Sequence, residues 1–125
     1  MSKKYILLVD DDNAVLETAS LILSDYELDT ANSGEECLDK VRVRKPDLIV
    51  LDVMMTHMGE GLDVAKNLKE NENTKDIPVV MLTSVKDYYD YTTQVSEDYY
   101  PKDAWVDKPV TKDKLLPVVK KFLGE

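Results

Sequence analysis

The stretch Asp47-Leu48-Ile49-Val50-Leu51-Asp52-Val53-Met54-Met55 decides the fold. Leu48–Leu51 is an unbroken apolar run, the pattern of a strand buried on both faces. It stops abruptly at a carboxylate, Asp52. In parallel α/β sheets, ligands bind at the carboxyl ends of the strands, which puts Asp52 at the mouth of a site. Three other apolar runs also lead into polar groups: Ile6–Val9 into Asp10-Asp11-Asp12, Val79–Leu82 into Thr83-Ser84, and Ala104-Trp105-Val106 into Asp107-Lys108-Pro109. Together the strand ends offer several carboxylates, a hydroxyl and one ammonium, a set suited to a divalent cation and a phosphoryl group.

Outward from the central run the signals alternate strand and helix. Upstream, Lys4–Asp10 reads as a strand. Asp12 or Asn13 then caps a helix running to about Ser24, with Val15, Ala19 and Ile22 on one face and Leu16 and Leu23 beside it. Tyr26–Ala31 alternates in polarity, as a strand nearer the sheet edge does. Ser33-Gly34-Glu35-Glu36 is a capping box that opens a helix to Arg44, with Cys37, Leu38 and Val41 inward. Pro46 keeps the chain extended into the central strand.

Downstream, Val53–Glu60 is a methionine-rich loop, Leu62–Glu70 a helix with Leu62, Ala65 and Leu68 inward, and Asn71–Asp76 a polar loop. Ile77–Leu82 is the fourth strand, with Pro78 confined to its first residues. Val85–Pro101 reads as a helix followed by a loop. Five of the seven tyrosines lie there, at 88, 89, 91, 99 and 100, interleaved with acids. That composition suits a protein-contact surface as well as a locally packed acidic loop. Ala104–Asp107 is the fifth strand. The last helix carries Leu115, Val118, Val119 and Phe122 inward. Pro117 belongs in its first turn, which sets the start at Asp113 or nearby.

Five strands alternating with helices define a doubly wound α/β fold with right-handed crossovers, its five-stranded parallel sheet in the order 2-1-3-4-5. That order brings Asp10 and Asp11 beside Asp52 at the switch point. With 125 residues and 43% hydrophobic content, the chain can bury one core and is short for two. Acids outnumber bases 25 to 16, and the net charge of −9 opposes direct binding of nucleic acid. The single Cys37 excludes an internal disulfide, suits a reducing compartment, and falls at an apolar helical position where a thiol is buried and inert. Lys3-Lys4 precede only Tyr5–Val9 before the aspartates, shorter than the ~7–15-residue apolar core of a signal peptide. No run approaches the ~20 residues of a membrane span. The expected location is the cytoplasm, without membrane attachment.

The acid cluster narrows the chemistry. Carboxylates brought together from two strand ends repel, so they share protons or recruit a hard cation. Magnesium suits such a set, since Mg²⁺ is octahedral and is bound by few protein carboxylates, with phosphate and water completing the shell. Asp12 can serve as a helix cap, but three acids in a row exceed what a cap requires. A carboxylate can also act as a nucleophile and form an acyl phosphate. The charge at an attacked phosphoryl group then calls for a positive partner, and Lys108 at a strand end is the candidate. Elsewhere the same lysine would read as a solvated side chain. Cis and trans are both open for the peptide bond before Pro109. Thr83 in isolation would be a turn residue, but its hydroxyl can donate to a phosphate oxygen.

Val9-Asp10-Asp11, Leu51-Asp52, Leu82-Thr83-Ser84 and Asp107-Lys108-Pro109, at these intervals, resemble the receiver domain of bacterial two-component response regulators. The resemblance spans essentially the whole chain, residues 1–125 as a single receiver domain of flavodoxin-like fold. It implies that Asp52 is the phosphoacceptor, charged by a histidine kinase or a histidine phosphotransfer protein. It implies a Mg²⁺ site formed by Asp10, Asp11, Asp52 and the backbone carbonyl of Met54, with Thr83 and Lys108 contacting the phosphoryl group. Trp105 falls where the family often has an aromatic that responds to the threonine. By the same resemblance the chain assists its own phosphorylation and dephosphorylation without being a turnover enzyme. Its output passes to a downstream protein target or a fused effector domain, or to a phosphorylation-dependent homodimer.

Two positions depart from the family pattern. Thr56 stands where a proline is usual, and Glu60 stands where a glycine is usual, flanked by Gly59 and Gly61. The loop thus reads one residue longer, and the stretch from Thr83 to Lys108 is also long. Other classes fit less well. An aspartyl phosphatase of related fold wants a second acid where Met54 stands, and a flavin binder wants a glycine- and hydroxyl-rich loop where Asp10–Asp12 stand. A receiver-like binding module that is never phosphorylated would normally lack one of the five key residues, and all five are present. His57, alone in a loop, is a bystander.

Overall fold

The computed structural model describes residues 3–52, 60–83 and 104–125. In chain order the elements are β1 (Tyr5–Val9), α1 (Asn13–Ile22), β2 (Glu27–Ala31), α2 (Gly34–Val43), β3 (Leu48–Asp52), α3 (Glu60–Glu70), β4 (Val79–Thr83), β5 (Ala104–Asp107) and α4 (Lys112–Phe122). The strands form one sheet in the order β2-β1-β3-β4-β5, and every pairing is parallel. The Met54 and His57 loop and the tyrosine-rich stretch 84–103 lie outside the described residues, as does the side chain of Leu62.

Side-chain alternation along the central strands feeds two cores, one on each face of the sheet. Leu7, Val9, Ile49, Leu51, Val79 and Met81 face α2 and α3, where Cys37, Val41, Val64, Ala65 and Leu68 meet them. Ile6, Leu8, Leu48, Val50, Val80 and Leu82 face α1 and α4, against Leu16, Ala19, Leu115 and Val119. Burying each such large aliphatic side chain stabilises the fold by about 1.5–3 kcal/mol. The helices begin where local chemistry allows. Asp12 caps α1, its side chain accepting from the Ala14 amide at 2.9 Å. Ser33 caps α2, its hydroxyl accepting from the Glu36 amide at 3.1 Å.

The last helix begins at Lys112, beside the expected Asp113, but Pro117 falls in its second turn and not in its first. The ring removes the bond that the Asp113 carbonyl would have accepted. Both residues are exposed, so water can serve that carbonyl while Leu115 and Val119 stay buried on the other side. On the other face, α3 begins at Glu60, two residues before the expected Leu62, so Gly61 stands in its first turn, where a glycine costs less than the ~1 kcal/mol of a helix interior. Burial of Val64, Ala65 and Leu68 outweighs that cost.

At the β2 edge, α2 supplies the counter-charges. Arg44 forks onto Glu27 at 2.5 and 2.7 Å and lies 4.2 Å over the Tyr5 ring. Lys40 pairs with Asp29 at 3.0 Å and donates to the Thr30 carbonyl, while the Thr30 amide donates to Asp29 Oδ1 at 2.7 Å.

Candidate functional site

The parallel register brings the carboxyl ends of the strands to one level. Val9 is paired with Leu51, Asp52 with Leu82, and Thr83 with Asp107, so Asp10, Asp52, Thr83 and Lys108 emerge side by side. Asp10, Asp52 and Thr83 are buried, Asp11 is exposed and Lys108 is half-buried. One carboxylate oxygen each from Asp10, Asp11 and Asp52 lie within 4.8 Å of one another. Lys108 Nζ reaches across the sheet to Asp52 Oδ1 at 2.9 Å and Asp10 Oδ2 at 3.4 Å. Its own amide donates to the Thr83 carbonyl at 2.7 Å, and its peptide bond to Pro109 is cis.

Asp10 is held from two sides. Its amide donates to the Ala31 carbonyl at 3.1 Å, and its Oδ1 accepts from the Asp12 amide at 2.9 Å. That leaves Asp10 Oδ2 and Asp52 Oδ1 buried with charge contacts to Lys108 but no hydrogen bond of good geometry. The electrostatics follow from that burial. Desolvation pushes the Asp52 carboxyl up to about 7, the Lys108 ammonium opposes the shift, and the neighbouring Asp10 charge adds to it. Asp10 is also raised by burial, against the Asp12 amide and Lys108. Burial lowers Lys108, but the two carboxylates outweigh it and the net shift is upward. Among the described residues, the Lys108 ammonium lies against two of the three carboxyl groups, those of Asp10 and Asp52. Two buried oxygens without hydrogen bonds and an all-oxygen donor set fit a small, hard divalent cation such as Mg²⁺.

Of the residues named from the sequence, Asp10, Asp11, Asp52 and Lys108 come together directly. Thr83 closes the row at the end of β4. Trp105 is half-buried against the α2/α3 core, and Met54 lies outside the described residues. The sequence reading assigned nothing to the β2 side of the cluster. Asn32 is there, with Nδ2 donating to Asn13 Oδ1 at 3.0 Å. The strand order could have signalled it, since the end of β2 must lie beside the end of β1. A depression of about 200 Å³ opens beside Lys108, lined by Ala14, Val15, Thr18, Pro109 and Val110.

A profile of the response regulator receiver domain matches residues 6–120, and the chain belongs to that family of phosphoacceptor signalling domains. It is 38% identical over 102 residues to the response regulator MprA of Mycolicibacterium vanbaalenii, covering 78% of this chain and 43% of that protein. It is 37% identical over 107 residues to the alkaline phosphatase synthesis transcriptional regulatory protein PhoP of Bacillus subtilis, covering 82% and 43%. The chain thus spans less than half the length of these relatives. Among solved structures, the chemotaxis response regulator CheY4 of Vibrio cholerae superposes with a TM-score of 0.83 at 27% identity, covering 98% of this chain and all of that one. The receiver domain of NtrX from Brucella abortus gives 0.81 at 28% identity, covering 95% and 98%. Among the described residues, no helix is long and apolar enough to cross a membrane.

Proposed function

We propose that Asp52 accepts a phosphoryl group from a phosphohistidine on a histidine kinase or histidine phosphotransfer protein, and that residues 1–125 act as a single receiver domain in the cytoplasm. The observation that carries this reading is the placement of Asp52: buried at the end of β3, with Oδ1 2.9 Å from Lys108 Nζ and the carboxyl groups of Asp10 and Asp11 alongside. An ionised Asp52 oxygen attacks phosphorus, the O–P bond of an acyl phosphate forms, and the P–N bond to the donor imidazole breaks. The donor ring carries a proton on its other nitrogen, so the electron pair of the broken P–N bond stays on the ring and imidazole leaves neutral. Lys108 favours the ionised form of Asp52 beforehand and meets the charge of the phosphoryl oxygens during transfer. The Thr83 hydroxyl donates to a phosphoryl oxygen.

Asp10, Asp11, Asp52 and the Met54 carbonyl would hold Mg²⁺, which when bound offsets the repulsion among the acids and between them and the incoming phosphoryl group. Thr83 and Lys108 are joined through the main chain, so displacement of one is felt by the other and by β5, which carries Trp105. The depression beside Lys108 gives the donor an apolar foothold next to the acceptor. Output passes to a downstream protein target or a fused effector domain, with a phosphorylation-dependent homodimer as a further route. With a net charge of −9, direct contact with nucleic acid is not part of the role. The domain assists its own phosphorylation and dephosphorylation without turning over an external substrate.

Incubation with Mg²⁺ and acetyl phosphate should add one base-labile phosphoryl group to the wild type and none to Asp52→Asn, as read by intact mass. Equal labelling of the two proteins would remove Asp52 from the role. No labelling of either would leave a binding module in place of a phosphoacceptor.

A further inference from the structure

We infer that Asn13 and Asn32 are positioning residues for the cation site, acting through a side-chain bridge that ties the start of α1 to the turn after β2. The inference rests on the function proposed above and concerns its least supported ligand. Asp11 is exposed, and among the described residues no hydrogen bond or ion pair holds its side chain. Its direction is therefore set by the backbone on either side. Before it, Asp10 is clamped between the Ala31 carbonyl and the Asp12 amide. After it, Asp12 turns the chain into α1 with its side chain on the Ala14 amide, and Asn13 is the first helical residue.

The bridge fixes that second side. Asn13 Oδ1 accepts from Asn32 Nδ2 at 3.0 Å, and Asn32 is itself held, its amide donating to Glu36 Oε1 at 3.2 Å. Glu36 is bound in turn to the Ser33 cap. Hydrogen bonds thus connect the first turn of α2, through Asn32, to the first residue of α1 and so to the loop bearing Asp10 and Asp11. Both asparagines are exposed, so the bridge adds little to global stability, as expected of a neutral pair in water. Its effect falls on local order, where a loop of three residues must aim carboxylates at an ion that demands near-octahedral geometry.

The test titrates Mg²⁺ into wild type, Asn13→Ala, Asn32→Ala and the double variant by calorimetry, and follows exchange of the Asp12 amide hydrogen by NMR in metal-free protein. Each single variant should bind Mg²⁺ measurably more weakly, by up to about 10-fold, the ceiling set by one hydrogen bond. The double variant should be no worse than either single, the Asp12 amide should exchange faster, and the urea midpoints should stay together. Unchanged affinity in the single variants overturns the inference. So do additive losses in the double variant, or a loss matched by a lower urea midpoint. Labelling by acetyl phosphate at saturating Mg²⁺ separates the two readings: an unlabelled wild type overturns the proposed function, whereas labelled variants with weakened Mg²⁺ affinity support the bridge.

Discussion

Replacing Asp52 with asparagine should stabilise the metal-free protein at neutral pH. Burial raises the Asp52 carboxyl from 3.8 to about 7, against the pull of Lys108 and with the push of Asp10. In the unfolded chain the same group titrates near its ordinary value. Between roughly pH 4 and 7 the native state therefore holds a proton that the unfolded state has released, and native stability falls as pH rises through that window. At about 1.4 kcal/mol per pH unit, the full penalty for ionising the buried group is at most about 4 kcal/mol. Asp10 is raised as well, and the two acids titrate as a pair, so removing one of them should relieve about 2–3 kcal/mol. Asparagine keeps the shape, carries no charge, and leaves Lys108 with Asp10 as a partner at 3.4 Å. Urea unfolding followed by Trp105 emission, in chelator from pH 4 to 8, measures the difference between the two proteins. The curves should converge at the acid end and separate by about 2–3 kcal/mol at pH 8, with Asp52→Asn the more stable. Added Mg²⁺ should narrow the gap by raising the wild type. An Asp52→Asn protein equal to or weaker than wild type at pH 8 in chelator would refute the reasoning.

Lys108→Ala leaves the two buried carboxyl groups without their cation, so the metal-free variant should lose stability above pH 7 and lie close to wild type near pH 4. It should still accept phosphoryl, yet lack the phosphorylation-dependent change in amide exchange around Trp105 that wild type shows. Asp11→Ala removes a carboxylate from the cluster and should weaken Mg²⁺ binding at least about tenfold by calorimetry; unchanged affinity would count against the site. Burial pushes the Cys37 thiol up to about 12, so its alkylation at pH 8 should track global unfolding in urea. Rapid modification of the folded protein would show that the α2 face opens locally.

The sheet and its order were legible because the strand runs are apolar and each ends in a polar group. Leu48–Leu51 and Ile6–Val9 belong to strands buried on both faces, and only a parallel sheet flanked by helices buries them that way. Asp12 and Ser33 announced their helices because capping is local chemistry. Features that depend on distant partners were harder to read. Pro117 looks like a first-turn residue until the burial of Leu115 and Val119 fixes where α4 begins. Gly61 reads as a turn until α3 packs onto the sheet. At the site, the sequence supplied the acids and the lysine, but the reach of Lys108 to Asp10 as well as Asp52 needs three strand ends in register. Asn32 was invisible because its neighbours are local whereas its side chain bonds to Asn13, nineteen positions away.

The charges along β2 have a consequence for how copies of this chain avoid one another. The Glu27 amide donates to the Lys4 carbonyl and the Ala31 carbonyl accepts from the Asp10 amide, so the alternation of a parallel strand turns the amide and carbonyl of Thr30 to the open edge. Neither is left for a visitor: Asp29 takes the amide and Lys40 serves the carbonyl. A second β2 laid alongside would have to break both bonds and would set Glu27 and Asp29 near their own duplicates. Sheet-to-sheet growth, which turns crowded domains into open-ended polymers, is thus opposed at this margin by Asp29 of the strand itself and Lys40 of α2.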